Sequence, residues 1–360
     1  MWTVTNYANC KKLKKFEKNV IIPFFTELLY CKRLGYSDFL IYLKNQKNHF
    51  IIEQKKKRNR INFDNEKNNK MQNTYKLLEY ICKRKTKKKL FLDYANDLLK
   101  NYSYNDLKSF FKIYIIQNKQ LKNKSTKINV YPIPDSFKIL FIDFFYEKFF
   151  SLDKIWLQFD ESSFSRNEFH INFKKENNIF VCPYCDIDTT MNIGNNQIEH
   201  FWPKSHFPFL SMNALNLVSS CHSCNMPLEG KGTTIKIPVS MPYVKQAGDY
   251  ISFKMNISKE IVELMTSHSD VSNYIDLLQL QKRYANSFVY DNLFLSCQST
   301  YTDLIQYENR QSRKLSSSEI SDYITTAKKY DKKKQPLYFA QLSIFKSYDK
   351  YSTYLRKENK

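Results

Sequence analysis

The chain has 360 residues, 42% of them hydrophobic and 16% aromatic, which is enough for a substantial core and for two or three domains. The formal net charge of +22 favours a polyanionic partner such as nucleic acid, although the excess of Lys and the abundance of Asn are also what an AT-rich genome imposes. The sequence shows neither a signal peptide nor an apolar run of about 20 residues, so we expect a cytoplasmic protein that does not enter a membrane.

Residues 1–160 are predicted to form a basic helical region. Four of its segments carry apolar residues at helical spacing: 19–29, 74–82, 91–99 and 136–150. Two basic runs, 55–60 and 83–89, lie between these helices, and each fits either a phosphate-contacting surface or a solvated loop. Residues 62–72 are polar enough to predict a loop.

Residues 165–245 differ in character and are predicted to form the functional core. They contain several Pro and Gly residues and three short strand-like runs, at 179–181, 197–199 and 234–239. Residues 246–360 are predicted to form a C-terminal region with one strand, at 250–255, followed by helices. Within it, Ser316 and Glu319 have the spacing of a capping box that opens a helix to about residue 330, and Pro336 fits the first turn of a last helix.

Four of the eight cysteines form two CxxC pairs, Cys182 with Cys185 and Cys221 with Cys224. In a reducing compartment, paired CxxC turns indicate a metal site and not a disulfide. Each turn directs two sulfurs to one point, so two turns predict a closed, structural zinc site. The 35 residues between the pairs exceed the spacing of simple zinc ribbons, which indicates that the zinc joins the two ends of a functional insert.

A second set of residues lies within and just after this insert: Glu199, His200, Asn216 and Asn225. A neutral imidazole can take a proton from water near pH 7. A carboxylate and an amide carbonyl are hard oxygen ligands that suit Mg²⁺ or Mn²⁺. This combination is typical of a one-metal phosphodiesterase, which makes a nuclease more plausible than a zinc protein without chemistry.

The order of these landmarks resembles the HNH endonuclease family, in the subset whose ββα-metal motif is flanked by two CxxC pairs. The resemblance covers about residues 179–232. It implies that His200 is the general base, that Glu199 and Asn225 bind the catalytic Mg²⁺ or Mn²⁺, and that Asn216 supports catalysis by orienting the loop that carries the base. The candidate nucleic-acid contacts are Lys204, His206 and Lys231.

Two departures from the family pattern are visible. The last position is Asn225 where the family commonly has His, which favours Mg²⁺ over softer ions. Residues 226–229 lengthen the connection to Lys231 beyond the usual gap. The fold class expected from the whole sequence is α+β, predominantly α, with a small ββα-metal (HNH) core that contains structural zinc and is flanked by N- and C-terminal helical regions.

Within the family, the sequence looks most like the HNH nucleases of bacterial anti-phage systems of the Septu and retron-associated type. That likeness implies a DNA nuclease that works with an ABC/SMC-like ATPase partner. Two alternatives stay open: an RNA nuclease effector or toxin acting on tRNA, and a non-catalytic zinc module that binds nucleic acid or a partner. The joint presence of Glu199, His200 and Asn225 speaks against the zinc module.

Overall fold

The computed structural model describes residues 1–57, 65–86, 89–192, 194, 196–226, 230–327 and 332–346. The chain forms two compact units that interleave along the sequence. The helical unit comprises Asn6–Phe173 and His200–Val218, and the cysteine unit comprises Met1–Thr5, Lys174–Glu199 and Ser219–Lys360. The division into three regions at 1–160, 165–245 and 246–360 stays a prediction. Among the described residues, no helix has the length and apolar character needed to cross a membrane.

Helices build nearly all of the helical unit. In chain order they are α1 (Tyr7–Phe16), a π-helical turn (Glu17–Ile21), α2 (Ile22–Arg33), α3 (Phe39–Lys57), α4 (Asn65–Cys82), α5 (Phe91–Asn101), α6 (Tyr104–Lys122), α7 (Asp135–Ile139), a π-helical segment (Leu140–Lys148), α8 (Asp153–Trp156) and the start of α9 (Arg166–Asn177). Local chemistry explains where some of them begin. At the start of α6, Ser103 Oγ accepts from the Asp106 backbone N–H, and the Asp106 carboxylate accepts from the Ser103 backbone N–H, which together form a capping box.

The four helices predicted in this region are confirmed. The loop predicted at 62–72 is wrong from Asn65 onward, because α4 begins there and runs through the polar stretch. Glu, Lys, Gln and Met are good helix formers even without an apolar stripe, so polarity alone did not indicate a loop. Residues 62–64, and residues 58–60 and 87–88 of the two basic runs, lie outside the described residues.

Interlocked aromatic rings form the core of the helical unit. Phe141, from the π-helical segment, is fully buried, and its ring centroid lies 5.0 Å from that of Phe145 and 4.8 Å from that of Phe209. Both pairs are edge-to-face, the arrangement that aromatic quadrupoles favour. Phe209 belongs to the segment His200–Val218, so this segment is packed into the core of the helical unit.

The strands are few and short. Strands β1 (Gln197–His200) and β2 (Leu217–Ser220) form one two-stranded sheet, and the chain passes from one unit to the other within each of them. Strands β3 (Ser252–Asn256) and β4 (Ile261–Met265) form an antiparallel pair whose register runs from Ser252↔Met265 to Asn256↔Ile261. The strands predicted at 197–199 and 250–255 are therefore confirmed.

The other two predicted strands are wrong. Val181 makes a single antiparallel bridge to Thr189 and no longer strand. Residues 234–239 form no strand, which agrees with the presence of Pro238, since proline has no N–H to donate to a ladder.

Helices complete the cysteine unit around β3 and β4. They are α10 (Ser269–Leu277), α11 (Leu280–Tyr284), α12 (Ser287–Gln311), α13 (Ser317–Ala327) and α14 (Tyr338–Phe345). The predicted capping box is confirmed, since Ser316 Oγ accepts from Glu319 N at 3.3 Å and Glu319 Oε2 accepts from Ser316 N at 2.9 Å. The last helix begins two residues after Pro336, at Tyr338. The chain is thus mainly helical with small sheets, as expected.

Candidate functional site

The four paired cysteines meet in the interior of the cysteine unit. All are buried, and their sulfurs lie within 4.8 Å of one another. The Sγ atoms of Cys182 and Cys224 are 3.8 Å apart, and those of Cys185 and Cys221 are 3.9 Å apart. A tetrahedral zinc ion with bonds of about 2.3 Å requires sulfurs about 3.8 Å apart. The cluster therefore has the size and chemistry to hold one zinc ion.

Backbone groups fix the sulfurs in these positions. Each of three N–H groups donates to a cysteine sulfur at 3.4 Å: Ile187 to Cys185, Cys221 to Cys182, and Cys224 to Cys221. Such bonds withdraw charge from metal-bound thiolates and hold each turn in the conformation that binds the metal. The CxxC spacing thus produces a site whose geometry is set by the chain itself.

An arginine from another part of the cysteine unit lies against the cluster. Arg283, in α11, donates from Nη1 to Cys224 Sγ at 2.7 Å and from Nη2 to Asp188 at 2.8 Å, and its side chain is only 10% exposed. Burial by itself lowers the pKa of Arg283, but the cysteine sulfurs raise it above its usual value, so the guanidinium stays charged. One positive charge therefore offsets part of the negative charge that four thiolates bring to one zinc ion.

Glu199 forms a nearly buried ion pair with Lys231. Lys231 Nζ lies 3.0 Å from Glu199 Oε1, and the two side chains are 4% and 12% exposed. Lys231 is held there by its backbone N–H, which donates to Cys224 O at 2.8 Å. A Cβ on the preceding Gly230 would lie 2.5 Å from the same carbonyl oxygen, so only glycine fits this approach. The structure thus places Lys231 on Glu199.

Asn225 ends a 3₁₀ turn that begins directly after His222, and both residues are exposed. The Asn225 backbone N–H donates to His222 O at 2.9 Å, which holds the turn. His222 is not part of the cysteine cluster. The residues 227–229 of the lengthened connection lie outside the described residues.

His200 is buried in the helical unit. Its Nε2 lies 3.1 Å from Ser211 O, and its ring meets Tyr146 edge-on with 4.3 Å between ring centroids. A carbonyl oxygen only accepts, so Nε2 carries the hydrogen in this bond. The Ser211 hydroxyl in turn donates to Phe141 O at 3.0 Å, which holds Ser211 against the aromatic core.

Asn216 fixes the chain that follows His200. Its side chain is fully buried; Oδ1 accepts from Trp202 N at 2.7 Å, and Nδ2 donates to Trp202 O at 3.1 Å and to Leu210 O at 3.2 Å. Both backbone groups of Trp202 are thereby satisfied by one amide. The Asn216 amide therefore holds the backbone at Trp202 and Leu210.

The two remaining predicted contacts lie just beyond β1, in the helical unit. Lys204 donates to Glu147 Oε1 at 2.6 Å. His206 is exposed, and its backbone N–H donates to Pro203 O in a turn. Three further residues at these sites are not predicted from the sequence. Arg283 contacts the cysteine cluster, Tyr146 contacts His200, and Arg166 contacts Tyr146. None of them has a motif, because each comes from a helix remote in sequence from the site it contacts.

Comparisons with known proteins give little guidance. No family model matches the chain, and no solved structure matches it. A stretch of 51 residues is 45% identical to protein ea31 of Escherichia phage lambda, which amounts to 14% of this chain and 16% of the phage protein. The chain therefore matches less than a fifth of this relative's length, and the likeness is confined to a short segment.

Proposed function

We propose that the protein is a metal-dependent endonuclease of the HNH type that hydrolyses phosphodiester bonds in DNA. In this proposal, His200 is the general base, and Glu199 and Asn225 bind the catalytic Mg²⁺ or Mn²⁺. Asn216 orients the loop that carries the base. The four cysteines hold structural zinc and take no part in the chemistry.

The observation that carries the proposal is the support built around His200. The Ser211 carbonyl oxygen holds the imidazole through Nε2, and Asn216 fixes the backbone two residues further on. A general base must be held in one orientation and one tautomer, because proton transfer from water depends on both. Asn216 supplies that support by binding both backbone groups of Trp202, two residues after His200.

The proposed metal ligands fit by chemistry. A carboxylate and an amide oxygen are hard donors, and they leave room for water and phosphate on a Mg²⁺ ion. When bound, such an ion stabilises negative charge on the phosphate and on the leaving oxygen. The chain's own contribution is to hold Glu199 nearly buried, to place Asn225 on an exposed turn next to Cys224, and to orient the base.

The narrower proposal concerns biological role. We propose that the nuclease is the effector of a bacterial anti-phage system and acts in the cytoplasm with an ABC/SMC-like ATPase partner. The order of the landmark residues supports this placement, and the net charge of +22 supports a nucleic-acid substrate. Co-purification of an ATPase with the tagged protein from its native host tests the partner.

One observation favours the non-catalytic zinc module as the second candidate. Lys231 already supplies a positive charge to Glu199 in a nearly buried pair, and such a pair can serve structure alone. Under this alternative, the protein binds zinc and nucleic acid, and Glu199 never binds a metal ion.

Cleavage assays on supercoiled plasmid and on tRNA, with Mg²⁺ and with EDTA, separate these possibilities. His200→Ala should reduce Mg²⁺-dependent plasmid cleavage by a factor of about 100 or more and leave the zinc content unchanged. His49→Ala, which removes an exposed histidine of the same unit, is the matched control and should cleave normally. Undiminished cleavage by His200→Ala removes the mechanism. Cleavage of tRNA alone moves the substrate to RNA, and no cleavage of either by the zinc-loaded protein favours the zinc module.

A further inference from the structure

Two cations and one carboxylate of the helical unit surround the Tyr146 side chain. Arg166 Cζ lies 4.4 Å from the centroid of the Tyr146 ring, and Lys204 Nζ lies 4.9 Å from it. The Glu147 carboxylate joins the two cations, because Oε1 accepts from Lys204 at 2.6 Å and Oε2 accepts from Arg166 at 2.9 Å. We call Arg166, Lys204 and Glu147 the cation clamp.

The clamp is partly exposed to solvent, and it packs on the buried side chain of Tyr146. The side chains of Glu147, Lys204 and Arg166 are 47%, 37% and 35% exposed, whereas Tyr146 is buried. Ion pairs this exposed add little to folding stability. Stability is therefore a weak reason for two cations to converge on one carboxylate at this place.

The clamp also adjoins the histidine of the proposed active site. The Tyr146 ring packs edge-on against His200, with 4.3 Å between centroids, so both cations and the imidazole contact the same ring. Tyr146 further fixes Arg166 by two hydrogen bonds, one to its hydroxyl at 2.9 Å and one to its carbonyl oxygen at 3.1 Å. An arginine held in this way loses less conformational entropy when it binds an anion.

From this geometry we propose that Arg166 and Lys204 bind a backbone phosphate of the nucleic-acid substrate, and that Glu147 occupies the position of that phosphate in the free protein. The inference rests on the proposed function, because it takes the substrate to be DNA and the site to be beside its base. A phosphate has more negative charge and more acceptor oxygens than a carboxylate, and a guanidinium beside an ammonium matches it well. DNA binding would then displace the Glu147 side chain from both cations.

A second acid lies near the clamp. Asp143 lies one helical turn before Glu147, and burial raises its pKa, with the Glu147 charge raising it further and Lys204 lowering it. Arg166 and Lys204 both pair with Glu147 in the free protein. A phosphate must therefore compete with these carboxylates for the two cations.

Two substitutions that each replace a charged side chain with an uncharged one should have opposite effects, and this difference tests the proposal. We measure binding of a fluorescein-labelled DNA duplex to full-length His200→Ala protein by anisotropy over a series of salt concentrations. Adding Arg166→Gln should weaken binding about tenfold and reduce the salt slope by about 0.9, the value for one phosphate contact. Adding Glu147→Gln should instead tighten binding about fivefold, because the competing carboxylate is gone.

Matched controls distinguish a loss of binding from a loss of folding. Lys138→Gln removes an exposed lysine of the same unit that is paired with Asp135, and it should leave affinity nearly unchanged. Arg166→Lys keeps the charge and should restore part of the lost affinity. If the clamp is only structural, Arg166→Gln and Glu147→Gln lower the melting temperature together and change binding no more than Lys138→Gln does, which overturns the proposal. A response on RNA but not on DNA overturns the DNA assignment.

Failure of the inference and failure of the proposed function give different results. Plasmid cleavage by the wild-type protein together with Arg166-independent binding rejects the clamp and keeps the nuclease. Arg166-dependent binding without any cleavage keeps the clamp and rejects the nuclease.

Discussion

The two units obtain their cores in different ways. The helical unit is filled by aromatic rings, such as Phe141 with its neighbours Phe145 and Phe209. The cysteine unit places four buried sulfurs and a charged guanidinium at its centre, where apolar side chains would otherwise lie. We expect a bound metal ion to stabilise a core of the second kind, because crowded buried thiols and a buried cation are costly without one.

If zinc occupies the cysteine cluster, one chain combines a core that folds by hydrophobic burial with a core that folds partly by coordination. Perturbations should therefore act on one unit and spare the other. The four substitutions below test this separation, from the largest expected effect to the smallest.

Cys221→Ser should have the largest effect. Loss of one of four thiolates should release most of the zinc and destabilise the cysteine unit by several kcal/mol, since metal binding supplies folding free energy in such sites. Zinc content by mass spectrometry and hydrogen exchange of each unit measure this. Cys297→Ser makes the same change elsewhere in the cysteine unit and should retain zinc. Unchanged exchange in Cys221→Ser would mean that the cluster is not structural.

Phe141→Ala should destabilise the helical unit by about 3–5 kcal/mol, because it leaves a cavity among rings that cannot close around it. Hydrogen exchange should accelerate in the helical unit, while the zinc content should stay at that of the wild type. Zinc loss in this variant would break the separation between the two cores. Phe288→Ala, which removes an exposed phenylalanine of the cysteine unit, should change neither quantity.

Arg283→Gln should weaken zinc retention without unfolding the unit. The substitution removes the charge that offsets the thiolates and the donor to Cys224, so zinc transfer to a competing chelator should be about tenfold faster. The rate of colour development with a zinc-sensitive dye measures it. Lys282→Gln, at the exposed neighbouring position, should transfer zinc at the wild-type rate.

Asp160→Asn should have the smallest effect, and only above acidic pH. Burial acts to raise the pKa of Asp160, but hydrogen bonds from Lys15 and Lys12 outweigh it and hold the pKa below its usual value. A lowered pKa stabilises the folded protein above the unfolded-state value of about 3.9, and this contribution is lost as pH falls through the folded-state pKa.

The melting temperature of the helical unit should therefore fall by about 2 °C in Asp160→Asn at neutral pH and match the wild type in strong acid. Asp135→Asn, which removes an acid that is 88% exposed, should show a smaller difference at every pH. A difference that persists unchanged in acid would rule out the ion pairs as its cause.

Much of the fold was readable from local pattern. Apolar spacing predicted the helices at 19–29 and 136–150, alternation predicted β3, and the CxxC turns predicted the cysteine cluster that the structure forms. Local signals failed where tertiary context decides. The polar start of α4 reads as a loop, and the run at 179–181 has a strand's composition but finds only one bridging partner.

The contacts that define the candidate sites were mostly beyond prediction. Arg283 lies 59 residues from Cys224 in sequence, and nothing in its neighbourhood distinguishes it from other arginines. The sequence predicts Lys231 as a nucleic-acid contact, whereas the structure places its ammonium 3.0 Å from Glu199 Oε1. Ion pairs between distant segments depend on how the helices pack, and the apolar periodicity of the sequence does not indicate how they pack.

The interleaving of the two units has a consequence for biosynthesis. The ribosome delivers every segment of the helical unit by residue 218, when the cysteine unit still lacks Cys221, Cys224 and all that follows. Cys221 comes 36 residues after Cys185, so at about 5–20 residues per second the first dithiol emerges about 2–7 s before its partners are made. During translation, the growing chain therefore presents half of the cysteine cluster as a pair of thiols without the other half.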